Sequence, residues 1–410
     1  MKLVKIKNLK NIQYKNRILL YSDKCAEWVK ISEECYRLLR NAEENNIKQK
    51  EFIDCLEDEN DKEYFRILFK YLNILNENDA IGLNEKYSIN FSLTNRCNLS
   101  CKHCCVNAGS NIEELEKKEI FRIIDRVLEL NLMSLTITGG EPLIRKDFID
   151  IIKYIRKYYN GRLSLMTNGT LFNKDNIDFI IKNFDSIDIS LDGVDDVTTT
   201  ITRGKGVFER VIRNVEELKK SGCDNISISM VINQYNYKRR EEFKKLNEKL
   251  GTRGITRVYA PIGRGKGNLE LLMGKEINNL EEKRIPKGNS SFETGITCGN
   301  CNAIRYKLFI NHLGDIYPCS ALAEKTLKLG NILEIENILK YLKNEEYKQE
   351  KNYNSFLDIL EPKECKECKV LPFCIKCPIY RYAYQDVDLL KEFCKNKKEF
   401  YYEAVWGESL

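Results

Sequence analysis

Two hydrophobic periods alternate along the middle of the chain. Short apolar runs stand at Ser88–Leu93, Ser134–Thr138, Leu163–Thr167, Ser186–Leu191, Ile226–Ile232 and Ile255–Ala260, and they predict strands. Between them apolar residues recur at helical spacing over Ile112–Leu130, Lys146–Tyr159, Val207–Lys220 and Tyr237–Leu250. Strands that succeed one another through helices lie parallel, because parallel neighbours need a crossover. Six such units are too few to close an eight-stranded barrel. The expected fold is therefore α/β, a partial (βα)6 barrel that stays splayed.

The flanks read differently. Residues 1–85 predict a small α+β unit that looks like a winged helix. A strand pair at Leu3–Ile6 and Ile18–Tyr21 precedes amphipathic helices at Glu33–Glu43 and Asp61–Leu75. The polar stretch Gly274–Thr294, with Pro286, Gly288 and Asn289, reads as a linker. The expected divisions are thus 1–85, 86–275 and 276–410. In the last, cysteines crowd residues 298–394 and metal is expected to replace much of the core; the aromatic tail Tyr401, Tyr402 and Trp406 is expected to pack back on the body.

Composition narrows the chemistry. The chain has 410 residues, 16 of them cysteine, and opens without the apolar segment of a secretory signal. Cysteine clusters in the reducing cytoplasm point to metal rather than disulfides, so a soluble cytoplasmic protein is expected. No stretch approaches the roughly 20 apolar residues of a membrane helix. The charge of +6 is interspersed, which gives little support to nucleic-acid binding. Two histidines, His103 and His312, nearly exclude histidine triads and multi-histidine zinc sites; His312, in a predicted turn, is expected to be exposed.

The strongest motif is Cys97-x3-Cys101-x2-Cys104, directly after the first barrel strand. Three thiolates on one short loop can hold three irons of a 4Fe-4S cluster and leave the fourth open for chemistry; a zinc site with a remote fourth ligand is the alternative. Further motifs fall at the C-terminal ends of the next strands, where a parallel barrel builds its site. These are Gly139-Gly140-Glu141-Pro142, Thr167-Asn168-Gly169 and Ser190-Leu191-Asp192-Gly193, with Arg203 downstream. The glycines allow close backbone approach to a ligand, and the polar side chains can bind an amine, a sugar or a carboxylate. Pro261–Gly267 is read either as lining the pocket or as a solvated loop.

Eight more cysteines follow, at Cys298, Cys301, Cys319, Cys365, Cys368, Cys374, Cys377 and Cys394. They suffice for two four-ligand sites, of iron–sulfur or zinc-ribbon type.

Taken in order, the cysteine triplet, the Gly139–Pro142 motif and the Ser190–Gly193 turn resemble the radical S-adenosylmethionine superfamily. The resemblance implies that the methionyl amine and carboxylate of S-adenosylmethionine chelate the open iron. It implies amine contacts at Gly139–Glu141, carboxylate contacts at Ser190 or Arg203, ribose contacts at Asn168 and its neighbours, and His103 beside the adenine. One departure is Val197–Thr202, where many relatives carry His-Asp ahead of the arginine.

The later cysteines resemble the SPASM extension. That implies Cys298, Cys301, Cys319 and Cys377 on an inner auxiliary cluster and Cys365, Cys368, Cys374 and Cys394 on an outer one, although the gap from Cys374 to Cys377 is one residue shorter than usual. The N-terminal unit resembles the leader-recognition element of enzymes that tailor ribosomal peptides, which take the leader as an added strand. The expected function is a sactisynthase-like peptide maturase that forms an intramolecular thioether by radical hydrogen abstraction. Its expected partners are a precursor peptide with a leader and an electron donor of flavodoxin or ferredoxin type, with no nucleic acid and no membrane. The alternatives are another protein oxidation, such as sulfatase maturation, and a zinc-stabilised binding protein.

Overall fold

The computed structural model describes residues 2–22, 26–77, 86–110, 114–272, 288–298, 303, 306–349, 365, 367–374, 379, 394–395 and 397–408. The chain divides into two compact units. One joins Met1–Glu85, Glu282–Cys301 and Ile359–Leu410; the other joins Lys86–Glu281 and Asn302–Asp358.

The larger unit is built on a nine-stranded sheet. Its parallel part runs in chain order through β4 (Tyr87–Ser92), β5 (Leu132–Thr138), β6 (Leu163–Thr167), β7 (Ser186–Ser190), β8 (Ile226–Ile232) and β9 (Arg253–Val258). The crossovers carry α4 (Lys117–Leu128), α5 (Phe148–Tyr158), α6 (Ile177–Asn183), α7 (Asp196–Arg203), α8 (Val207–Lys220) and α9 (Arg240–Leu250). This is the splayed partial (βα)6 barrel expected from the sequence.

Strands β5, β6 and β7 alternate in burial. Leu135, Ile137, Leu165, Ile187 and Ile189 are buried, whereas the serines and threonines between them are half-buried on the other face. Helix residues such as Ile123, Ile151, Ile155, Val211 and Val215 are fully buried, and each is worth about 1.5–3 kcal/mol of burial. The apolar half of each strand thus holds the fold, which leaves the inner face polar.

Three further strands extend the sheet beyond β4. β10 (Lys307–Ile310) pairs parallel with β4, from Lys307 against Ser88 to Ile310 against Phe91. β11 (Asp315–Tyr317) and β12 (Gly330–Asn331) then add antiparallel. The side-chain oxygen of Asn311 accepts from the backbone N–H groups of Leu313 and Asp315 and shapes the β10–β11 turn. His312 in this turn is half-buried rather than exposed, and burial lowers its pKa.

In the smaller unit, β1 (Lys10–Tyr14), β2 (Arg17–Tyr21) and β3 (Trp28–Ser32) form an antiparallel meander followed by α1 (Glu33–Glu44), α2 (Gln49–Asp54) and α3 (Glu59–Glu77). Ser32 caps α1 by accepting from the N–H of Cys35. One sheet face packs Ile18, Leu20, Val29 and Ile31 on the helices. The other packs Leu19 and Trp28 against Cys298, Val370, Phe373, Tyr402 and Trp406, so the aromatic tail and part of the cysteine-rich region cover the N-terminal sheet. The predicted strand at Leu3–Ile6 is corrected: this segment crosses the α1–α2 loop with a single bridge, Leu3 to Lys48, and inserts Val4 and Ile6 into the helical core. Among the described residues no helix is long and apolar enough to cross a membrane.

Candidate active site

The Cys97–Cys104 loop is held at both ends. The N–H of Cys97 donates to Gly109 O at 2.8 Å, and that of Gly109 to Asn95 O at 3.1 Å. Glu114 receives the Thr94 hydroxyl and Arg96 Nη1. Within the loop, backbone N–H groups point at sulfur: Leu99 N lies 3.4 Å from Cys97 Sγ and Ala108 N 3.3 Å from Cys104 Sγ. Such donors stabilise charge on sulfur and tune a cluster. Burial pushes the Cys97 thiol up to about 11 and raises that of Cys101, so in the protein alone these are thiols. Iron would draw them into the thiolate form. Among the described residues no three Cys, His, Asp or Glu side chains converge on a single ion. A 4Fe-4S cube presents its irons at separate corners, and three cysteines on one braced loop can each take one of them.

The glycine motif lies flat against this loop. Gly139 has φ +154°, and a Cβ there would strike the Thr94 carbonyl; one on Gly140 would strike that of Arg96. Gly140 N donates to Thr94 O and Glu141 N to Arg96 O, each at 2.8 Å. Glu141 is fully buried. Its carboxylate accepts from the Thr167 hydroxyl at 2.8 Å and from Asn168 N at 2.8 Å, which ties the motif to the end of β6. Burial raises its pKa to about 7 against the pull of these donors. Pro142, also buried, begins a short 3-10 turn.

Asn168 Nδ2 donates to Asn98 Oδ1 at 2.9 Å and lies 3.8 Å from Cys97 Sγ. Ser190 ends β7, half-buried on the inner face. Asp192 takes a left-handed φ of 64° and is fully buried. Its carboxylate accepts from Arg203 Nε at 2.6 Å, His103 Nε2 at 2.9 Å and Val231 N at 2.6 Å. Burial alone would raise its pKa, but Arg203 and His103 hold it well below the carboxylate range. Arg203 also lies 3.8 Å from Cys101 Sγ through Nη1. The side chains of Glu141 and Asp192 are thus occupied by protein partners, and Arg203 and His103 share Asp192 beside the cysteine loop.

Two features sharpen the sequence reading, one helix that it did not predict and one segment that it read in two ways. Helix α7 spans the Val197–Thr202 stretch, and Lys102 N donates to Thr202 O at 2.9 Å. The Pro261–Gly267 segment lies against the cluster loop through Arg264 and Gly263, while Lys266 and Gly267 are exposed. Arg264 N donates to Cys104 O at 2.9 Å, Nη1 to Cys101 O at 2.9 Å and Nη2 to Ala108 O. Gly263, with φ +53°, packs so closely that a Cβ would strike the Cys105 carbonyl. A lone arginine among glycines was the only signal.

Of the later cysteines, Cys301 and Cys377 lie outside the described residues. Cys298 is buried at the β2–β3 turn, its N–H on Ala26 O at 2.8 Å and its thiol on Glu27 O at 3.2 Å. Cys365 and Cys368 share a tight turn through Cys368 N and Cys365 O at 3.0 Å. Cys374 closes the helical turn Leu371–Cys374, and Cys394 is half-buried. Cys319 belongs to the larger unit, directly after β11.

Comparison with known proteins agrees with this anatomy. Residues 91–246 match the family described as the radical SAM superfamily, and residues 301–369 match the SPASM iron-sulfur cluster-binding domain. Mycofactocin maturase MftC of Mycolicibacterium smegmatis is 29% identical over 271 residues, covering 62% of this chain and 69% of that protein. SuiB of Streptococcus suis superposes with a TM-score of 0.53 at 16% identity, over 91% of this chain and 97% of SuiB. The protein anSMEcpe with bound AdoMet superposes with a TM-score of 0.51 at 18% identity, over 79% and 98%. At such identities the two structures speak for the fold.

Proposed function

The chain is a radical S-adenosylmethionine enzyme with a SPASM domain, and we propose that it matures a ribosomally made precursor peptide by closing an intramolecular thioether of the sactionine type. Its cofactors are a 4Fe-4S cluster, SPASM auxiliary iron–sulfur clusters and S-adenosylmethionine. When bound, these supply a radical that takes hydrogen from an unactivated C–H bond and a sink for the electron left over. Closing the thioether removes two hydrogens, one from carbon and one from the substrate thiol.

The residues divide the work. Cys97, Cys101 and Cys104 hold the first cluster, with Leu99 and Ala108 N–H groups donating to two of the sulfurs. The backbone of Gly139–Glu141 receives the methionyl amine, since its side-chain carboxylate is spent on Thr167 and Asn168. Ser190 and Arg203 take the carboxylate, Asn168 the ribose, and His103 lies by the adenine. Cys298, Cys301, Cys319 and Cys377 form the inner auxiliary set and Cys365, Cys368, Cys374 and Cys394 the outer. An external flavodoxin or ferredoxin supplies electrons.

The observation that carries the peptide reading is the N-terminal sheet. Its β3 edge is taken by the chain itself, through the Val29–Ser290 bridge and Lys30 N on Asn289 O at 2.6 Å. Among the described residues β1 is then the edge left for an added strand, and we assign it to the leader. The relatives carry the same theme: one is a maturase by name, and SuiB is known bound to its precursor peptide SuiA.

The test is anaerobic incubation with reductant, S-adenosylmethionine and the short cysteine-containing peptides encoded beside the gene. The expected result is 5′-deoxyadenosine together with peptide lacking two hydrogens per link. Proline at Asn11 and Gln13, which removes donors from β1, should weaken leader binding. A peptide modified equally well without its leader would instead favour oxidation of the sulfatase-maturing kind.

A further inference from the structure

One tetrapeptide, Arg-Gly-Lys-Gly, occurs twice, at Arg203–Gly206 and at Arg264–Gly267. The fold brings both copies to the cluster loop. Both arginines turn onto it: Arg203 Nη1 lies 3.8 Å from Cys101 Sγ, and Arg264 Nη1 donates to Cys101 O at 2.9 Å. Both lysines, Lys205 and Lys266, are exposed, and neither has an ion-pair partner among the described residues.

The loop between the copies carries a third lysine. Lys102 stands between the ligands Cys101 and Cys104, half-buried and likewise without an ion-pair partner among the described residues. Its N–H donates to Thr202 O at 2.9 Å, next to the first copy, and its carbonyl accepts from Asn268 Nδ2 at 3.2 Å, next to the second. Three cations thus rim one stretch of the cluster loop. The carboxylates nearest in sequence, Asp196 and Glu270, leave them unpaired; Asp196 Oδ1 accepts instead from Gly206 N at 3.0 Å.

The rim is also bare. A Cβ on Gly204, Gly206 or Gly267 would meet nothing within 4 Å. The first two glycines are explained by their left-handed φ of +105° and +73°, but Gly267 has no such φ. Nothing inside the chain demands a naked backbone there, whereas a surface that approaches closely would. An acidic protein fits the charge. An electron carrier fits the place, because the loop that bears the ligands comes to the surface here, with Cys105 exposed beside Gly263.

We propose that the twin Arg-Gly-Lys-Gly turns, with Lys102 between them, form the docking face for an acidic electron-carrier protein of the flavodoxin or ferredoxin class. One electron leaves the reduced carrier there and enters the oxidised first cluster, and no atom is transferred. This rests on the reading above that an external carrier supplies the electrons.

The test uses the cluster-loaded full-length enzyme with a purified, reduced bacterial flavodoxin and, in parallel, photoreduced 5-deazariboflavin, an uncharged small reductant. The double variant Lys205→Gln with Lys266→Gln removes two exposed charges. Reduction of the first cluster by flavodoxin should slow about tenfold or more at low salt. The gap should close toward about 1 M salt, where the screening length is about 3 Å. Reduction by deazariboflavin, the 5′-deoxyadenosine released with it and the EPR spectrum with S-adenosylmethionine should match wild type. Gly267→Trp adds bulk without charge and should slow the flavodoxin reaction alone, at every salt concentration.

An unchanged flavodoxin rate in the lysine variant overturns the inference and leaves the external donor standing. Equal slowing with both reductants also overturns it, since the lysines would then serve the cluster itself. So does a raised KM for precursor peptide at an unchanged flavodoxin rate, which would give this face to the substrate. Wild type that deazariboflavin reduces but neither flavodoxin nor ferredoxin does overturns the donor reading, and the inference with it.

Discussion

The first cysteine cluster and the later ones are built on opposite plans. Cys97, Cys101 and Cys104 sit on one loop that the protein braces from several sides, with Gly140 and Glu141, α7 and Arg264 all hydrogen-bonded to its backbone. The later cysteines in the smaller unit sit on short turns, and their structural support is an aromatic core shared with the N-terminal sheet. The difference separates two ways of making a metal site. In one, backbone hydrogen bonds shape the loop before metal arrives; in the other, the framework depends on distant packing and on the metal itself.

Substitution within the triplet tests the first plan most severely. Cys101→Ala should abolish 5′-deoxyadenosine release and remove one cluster's iron, while circular dichroism stays that of the wild type. Damage to the second plan should come from a residue that is no ligand at all. Trp406 packs on Tyr14 at 5.1 Å and donates to Lys369 O at 3.2 Å. Trp406→Ala should cost about 3–5 kcal/mol of stability by denaturant unfolding. Auxiliary iron should fall with it, and the S-adenosylmethionine-sensitive EPR signal should persist. Loss of both together would erase the contrast.

Arg264→Ala probes the bracing alone. It removes two side-chain hydrogen bonds from the loop carbonyls, and outer contacts of this kind change metal affinity by about 10–100-fold. Iron titration should show that drop for the first cluster only.

The smallest effect is a slope. The Glu141 pKa, raised by burial to about 7, means the folded protein binds more protons than the unfolded chain between the ordinary value of 4.5 and 7. The Glu141 contribution to stability is complete below 4.5 and is lost as pH rises through 7. Glu141→Gln should flatten that part of the melting-temperature profile.

Regular elements packed on one side were legible in the chain. Leu163–Thr167, Ile226–Ile232 and Val207–Lys220 were predicted at their observed bounds, because alternation or helical spacing survives wherever one face is buried. Helix α7 was not, since its Val-Thr-Thr-Thr run is β-branched and favours strand. The Asp195 side chain, accepting from Thr198 N at 2.8 Å, starts that helix regardless. The cysteine triplet announced itself by spacing. What supports it did not, because the partners of Arg203 and Arg264 are distant in sequence and set by topology. The pairing of β10 with β4 was equally invisible, since nothing local in Lys307–Ile310 names its neighbour.

That last pairing has a consequence for the nascent chain. β4 leaves the ribosome early, but the strand that completes its second edge emerges about 220 residues later, on the order of 10–40 s at ordinary elongation rates. Throughout that interval an apolar strand with an open row of amides and carbonyls invites pairing with another chain. Truncation before residue 307 should therefore yield aggregate rather than a smaller working barrel, and slow translation should make chaperone capture most valuable at this step.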